Sequence, residues 1–284
     1  MAPAETLDHH TVIAARGAEE GTGAAFEGTV FDARPLTGSV IAITADRRRE
    51  ELAAQLQERG ARTVETPTVR LAPGDEGVVA RRAGDRAAAS RFVETVLRRD
   101  VHAVTFTTAP GVTGLLEAAA VSGSLDQLLA ALRVDVLPIC LGPACARPLE
   151  AVGVPALSPD KPRFSALVDV LCEQLPPRIR REVRVDAART LVMQGFSAAI
   201  GDYAVTLPPL PAAVLAELAR RPGWVVSRAE LLRRVWDGRD VRGGAARDEH
   251  AVEATVARLR TALGPAAGLV KTVTKRGYRL AVEL

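Results

Sequence analysis

At 284 residues, 48% hydrophobic and 25% charged, the chain has the length of about two domains and an ordinary globular composition, which argues against a disordered or fibrous protein. Its three cysteines, Cys140, Cys145 and Cys172, show no metal-type pairing and point to free thiols in a reducing cytoplasm; without a long apolar run, neither a membrane span nor a signal peptide is expected. The net charge of +3 is uneven: residues 187–284 hold 15 Lys+Arg against 9 Asp+Glu and the remainder 22 against 25, so a basic C-terminal third calls for a polyanionic partner.

Residues 1–37 are rich in Ala, Gly and acidic side chains, show no period, and are expected to form a disordered leader; the isolated His9-His10 pair is no metal site. Residues 39–44 are a short apolar run, as in a strand buried on both faces. A helix is predicted over 50–59 with Leu52 and Leu56 on one side, ended by Gly60, and a second strand over 63–66, stopped by Pro67. Residues 73–85 read as an irregular loop, 87–98 as a helix and 101–107 as a third strand. Helices follow at 112–120 and 125–132, a fourth strand at 136–141, a helix at 144–152, a short fifth strand at 155–157 and a helix at 164–175. Alternation of this kind predicts an α/β lobe over 38–177, a parallel sheet in the flavodoxin-like order 2-1-3-4-5 with its ligand crevice beyond the ends of strands one and three.

Pro176-Pro177 closes the lobe, and charge-rich residues 178–188 read as a linker or short helix. A second domain is predicted over 189–284. It opens with a hairpin, 197–200 and 203–207 around Gly201-Asp202, followed by a first helix over 211–221. Ser227 caps a second helix, with Glu230 placed for a capping box, and 249–263 forms a third, ended by Gly264-Pro265. On that third helix Val252, Val256, Leu259 and Leu263 make one apolar stripe. The opposite face offers Arg258 to pair with a guanine edge, Ala254 for a thymine methyl and Glu253 for a cytosine amine. His250, Thr255 and Arg260 fall toward the flanks, where phosphates would run. A hairpin with a basic tip, Thr272, Thr274, Lys275 and Arg276, completes a winged helix-turn-helix, a fold that binds double-stranded DNA.

Arg-Pro-Gly-Trp-Val-Val-Ser-Arg-Ala-Glu-Leu-Leu at 221–232, Val-Trp at 235–236, Arg-Leu-Arg at 258–260, Lys-Thr-Val at 271–273 and Arg-Gly-Tyr-Arg at 276–279 carry a resemblance. Residues 187–284 resemble the effector domain of OmpR/PhoB-type response regulators. The resemblance implies base contact by Arg258, phosphate contacts by Arg260 and His250, a wing in the minor groove, and a polymerase-contacting loop at 237–247. Two copies on DNA are expected, since one short helix reads few base pairs. Ala257 and Thr274 depart from the family, which commonly has arginine there. Trp236 and Tyr278 read as core.

The usual partner of such a domain is a phosphoacceptor receiver. Here Thr107-Thr108 stands where the acceptor aspartate belongs, Asp46 is alone where an acidic pair is needed, and Lys161-Pro162 matches the receiver only by chance. Instead, Val-Ile-Ala-Ile-Thr-Ala-Asp-Arg at 40–47, Ala-Val-Thr-Phe-Thr-Thr-Ala-Pro at 103–110 and Leu-Gly-Pro-Ala-Cys-Ala at 141–146 resemble uroporphyrinogen-III synthase. Fusions of the two domains resemble actinobacterial regulators, including those of nitrate and nitrite assimilation. The synthase has two α/β lobes and closes a tetrapyrrole between them. This chain has room for one lobe, and no tyrosine for the family's cleft position, since Tyr203 and Tyr278 both lie in the second domain. Thr44, Arg47, Thr107, Thr108 and Gly142 would form a half-site for an anionic effector, although such threonines serve equally as helix caps.

The reading is a DNA-binding regulator with a synthase-derived sensor or scaffold lobe. No catalytic residue, cofactor or metal is expected, and RNA polymerase or another regulator is a candidate partner. The alternative is a working synthase with an appended DNA-binding domain.

Overall fold

The computed structural model describes residues 30–45, 48–65, 78–237 and 249–283. A four-residue helix, α1 Val30–Ala33, precedes β1 Val40–Ile43, α2 Arg49–Glu58 and β2 Arg62–Glu65. Then come α3 Val78–Leu97, β3 Ala103–Phe106, α4 Ala109–Val121, α5 Leu125–Val134, β4 Leu137–Cys140, α6 Pro143–Ala151 and α7 Phe164–Gln174. The strands form one parallel sheet in the order β2-β1-β3-β4. Alternate residues feed opposite faces, as the pleat requires. Val40, Ala42, Val104, Phe106 and Cys140 join the apolar cluster under α3 to α6, whereas Ile41, Ile43, Ala103, Leu137 and Ile139 join the cluster under α2 and α7. The lobe is therefore an α/β layer with helices on both faces, and the strand order reverses between β1 and β3 as predicted.

Three expectations for this half are corrected. The fifth strand is a single parallel bridge, Ile139 to Leu157, because Pro155 lacks the N–H that a longer ladder needs. The stretch 73–85 is not all loop, since α3 begins at Val78. Residues 30–37 of the expected leader are ordered against the fold: Phe31 is 2% and Leu36 0% exposed, and an apolar side chain buried to that degree anchors the backbone beside it.

The second half opens with α8 Pro176–Ile179 and four strands, β5 Arg180–Arg184, β6 Thr190–Gln194, β7 Ser197–Ile200 and β8 Tyr203–Thr206, in one antiparallel meander. The linker expected at 178–188 thus contains a strand, Arg180–Arg184. Arg-Arg-Glu-Val-Arg turns only Val183 inward, a pattern suited to a charged edge strand and easily read as solvated chain. Asp186 closes the β5–β6 turn, accepting from the N–H groups of Ala188 at 2.9 Å and Arg189 at 2.8 Å. After the sheet come α9 Pro209–Leu218, α10 Arg228–Leu231, α11 Glu249–Leu263 and the hairpin β9 Val270–Val273 with β10 Gly277–Leu280. Ser227 caps α10 as predicted, its Oγ accepting from Glu230 N–H at 3.1 Å. The reciprocal half of the capping box is replaced, because the Glu230 carboxylate pairs with Arg234 at 2.7 Å. Beyond Leu231 the helix widens into a π turn, Leu232–Trp236. Arg234 also pairs with the nearly buried Glu217 of α9, which raises the Arg234 pKa and ties the two helices together. No helix among the described residues is long and apolar enough to cross a membrane.

Candidate nucleic-acid interface and ligand crevice

The apolar stripe of α11 is where the spacing predicts it. Val252, Val256, Leu259 and Leu263 are at most 1% exposed and pack in the same cluster as Val214, Leu215 and Leu218 of α9. Burying that stripe turns His250, Glu253, Ala254 and Arg258 to solvent, all of them exposed. The wing tip is exposed as well, over Thr274, Lys275 and Arg276, with Lys275 at φ 59 making the turn. Gly277 follows at φ 136, and a Cβ there would stand 2.1 Å from the Val226 carbonyl. That close approach allows Val226 and Tyr278 to exchange backbone hydrogen bonds at 2.8 and 3.0 Å, fixing the wing to the chain that enters α10.

Three of the expected contact residues have other duties. Thr255 is 3% exposed and donates its hydroxyl to Ala251 O at 2.8 Å, so it faces the core rather than a phosphate; it sits beside Val256 on the buried side of the helix. Arg260 reaches along the wing, donating from Nε and Nη2 to Val270 O at 3.0 and 2.8 Å and from Nη2 to Thr272 Oγ1 at 2.8 Å. Its guanidinium lies 5.9 Å from the Tyr278 ring centre. The Glu253 carboxylate is held by Arg228 at 3.1 Å, with His250 at 3.6 Å. Sequence reading missed Arg228. It begins α10, pairs with Glu253 and Glu249, and covers the Tyr278 ring at 5.4 Å, so α10, α11 and the wing meet at one residue. The Ser-Arg pair at the helix cap was the available signal. Exposed Arg233, Lys271 and Arg279 add positive charge near the same elements. The loop 237–247, expected to touch polymerase, lies outside the described residues beyond Asp237.

In the α/β lobe, the crevice residues divide. Thr44 is 2% exposed and its hydroxyl donates to Thr105 O at 2.8 Å, a cross-strand bond that leaves it turned into the sheet. Thr108 caps α4, accepting from Gly111 N–H at 3.3 Å. Thr107 is half-buried between them, and Gly142 opens α6 in extended backbone with no side-chain cap. Below that turn Cys140 donates to Cys145, which holds the Cys140 thiol up in pKa and the Cys145 thiol down. Arg47 lies outside the described residues. Its neighbour Arg48 pairs with Glu51 at 2.6 Å and lies 5.3 Å over Phe164. Among the described residues no group of three or more His, Cys, Asp or Glu could hold a metal ion.

The family model of uroporphyrinogen-III synthase HemD matches residues 2–199, and that of the transcriptional regulatory protein C-terminal domain matches 202–280. Among solved structures, the DNA-binding domain of Escherichia coli CadC is similar at 26% identity, with 37% of this chain and 95% of that one covered and a TM-score of 0.29. Thermus thermophilus uroporphyrinogen III synthase is similar at 24% identity over 50% of this chain and 53% of that one, TM-score 0.27. The Thermotoga maritima OmpR/PhoB homologue DrrB is similar at 16% identity over 86% and 99%, TM-score 0.29. The chain spans about half the length of the synthase structures it matches. No curated protein matches it significantly. This chain belongs to the uroporphyrinogen-III synthase HemD family and carries, behind its synthase-like domain, an OmpR/PhoB-type winged-helix DNA-binding domain.

Proposed function

We propose that the chain is a cytoplasmic transcriptional regulator that reads duplex DNA with α11, rests its wing on the backbone, and uses the synthase-like lobe as a sensor or scaffold. The observation that carries this is the pairing of exposed Arg258 and Ala254 on α11 with an exposed Thr274-Lys275-Arg276 wing tip, on a helix whose other face is sealed into the core. One short helix reads few base pairs, so two copies are needed for a tight site, on repeats about one helical turn apart. The effector is proposed to be a small anion at Thr107, Thr108 and the amino end of α6, with RNA polymerase meeting the loop before α11. The first test is a salt titration of the full chain on duplex DNA. Affinity should fall steeply as salt rises, as counterion release demands, and a flat dependence would remove the reading.

Membership of the synthase family favours a second reading, catalytic closure of hydroxymethylbilane. Against it, the described residues contain a single parallel sheet, and one lobe leaves a large, eight-carboxylate substrate open to water. Protein supplied with hydroxymethylbilane should not raise the type III isomer above spontaneous type I closure. A clear type III product would reverse the order of the two readings.

A further inference from the structure

The two halves meet through backbone as well as side chains. Gly38, which leads into β1, and Gly195, in the β6–β7 turn, lie against each other with φ 80 and 55. A Cβ on Gly38 would stand 2.1 Å from Gln194 O, and one on Gly195 would stand 2.4 Å from Gly38 O. Only glycines permit that approach. It is sealed by Phe196 N–H donating to Gly38 O at 2.8 Å. Gln194, 0% exposed, donates from Nε2 to Pro35 O at 2.9 Å and Thr37 O at 2.8 Å. His102, just before β3, accepts from Val40 N–H at 3.0 Å and packs its ring 4.2 Å from that of Phe196. On the outer face of the antiparallel sheet Phe31 covers Val192 and Ala199. One apolar cluster runs without a break from Val40, Val101 and Val104 of the lobe to Phe196, Leu215, Leu259 and Tyr278 of the DNA-binding half.

We propose that this junction makes the synthase-like lobe and the winged-helix half one cooperative unit, with β1 and β3 as the link between the crevice and the DNA-binding half. Both strands start at the junction, at Gly38 and His102, and both end at the crevice, at Thr44 and Thr107. Five residues separate Gly38 from Thr44 and four separate His102 from Thr107, so the two ends lie roughly 16–20 Å apart at the usual rise. A ligand closing on the crevice thus acts on strands whose other ends hold the β6–β7 turn, and DNA on α11 stabilises the lobe in return, because coupling is reciprocal. The last step rests on the DNA-binding reading; the cooperative unit does not.

The chain carries its own probes. Both tryptophans, Trp224 and Trp236, lie in the DNA-binding half, and all three cysteines lie in the lobe, two of them buried at Cys140 and Cys145. Tryptophan fluorescence and thiol reactivity followed through one denaturant titration therefore report the halves separately. Full-length protein should show coincident midpoints. Gly195→Ala should pull them apart by forcing a methyl onto the Gly38 carbonyl. Gly201→Ala is the control: Gly201 has the same φ of 55 in the next turn, yet a Cβ there meets nothing within 4 Å. It shares the backbone strain without the collision, so its midpoints should stay together. Gln194→Ala, which adds no atom, should separate the midpoints in the same sense and serves if Gly195→Ala does not fold. Divergent midpoints in the parent protein, or coincident midpoints in every junction variant that folds, would overturn the proposal. With sheared genomic duplex at low salt added to the parent protein, both midpoints should rise together. A rise confined to fluorescence would overturn the coupling, whereas no rise in either would count against the DNA-binding reading and leave the cooperative unit to the first comparison.

Discussion

Replacing Arg260 by alanine separates a structural arginine from a DNA-contacting one. The side chain makes two hydrogen bonds to Val270 O and one to Thr272 Oγ1, and lies over the Tyr278 ring. A hydrogen bond from a charged donor contributes about 1.5–3 kcal/mol when well shielded. Arg260 is half-buried, so water recovers part of that loss, and the ring contact adds about 0.5–1 kcal/mol. The expected cost of Arg260→Ala is about 2 kcal/mol, read as a lower denaturant midpoint by tryptophan fluorescence. Arg260→Lys keeps the charge and loses the fork, so it should cost nearly as much stability while retaining most of any affinity owed to charge alone. Should Arg260→Ala leave stability within about 0.5 kcal/mol of the parent and still weaken every DNA sequence equally, the clamp is wrong and the phosphate role is right.

Other perturbations follow from the same contacts. Lys275→Ala should weaken binding to all duplexes alike and lower the salt slope by about one unit, as loss of one phosphate contact does; an effect confined to one sequence would place the wing differently. Ser227→Ala removes the acceptor for Glu230 N–H and should cost about 1 kcal/mol of stability, with no change in the salt slope. Asp186 has its pKa lowered by its hydrogen bonds from Arg189 and Ala188. A depressed carboxylate contributes stability above its unfolded pKa and loses it as pH falls through the folded one, so the parent protein should lose stability in acid more steeply than Asp186→Asn. Parallel acid curves would refute that assignment.

Much of this molecule is legible in the sequence where side-chain period and burial agree. Val252, Val256, Leu259 and Leu263 fix the face of α11, and β1, β3 and β4 announce themselves as apolar runs because both sides of their sheet are covered. Legibility fails where long-range contact decides. Nothing local in residues 30–37 shows that Phe31 and Leu36 will find apolar surface elsewhere, and β5 hides as a run of charges because only Val183 faces inward. The exposed face of α11 was readable as a face, but the partners of its side chains were not. Arg260 and Glu253 lie away from the apolar stripe of α11, yet their partners, the Val270 carbonyl and Arg228, belong to other elements. The glycine contact between Gly38 and Gly195 has no sequence signature at all, since it joins residues far apart in the chain.

The proposed regulator would recognise DNA sequence through the exposed face of α11. That recognition is tested most directly by selecting a preferred duplex with the full-length protein and comparing it with a scrambled duplex at one fixed salt concentration, for the parent and Arg258→Ala. The parent should prefer the selected site, and Arg258→Ala should lose on the order of 1–3 kcal/mol there, with relaxed preference at one base position and little change on the scrambled duplex. Equal loss on both duplexes, or a parent protein with no preference between them, would contradict it.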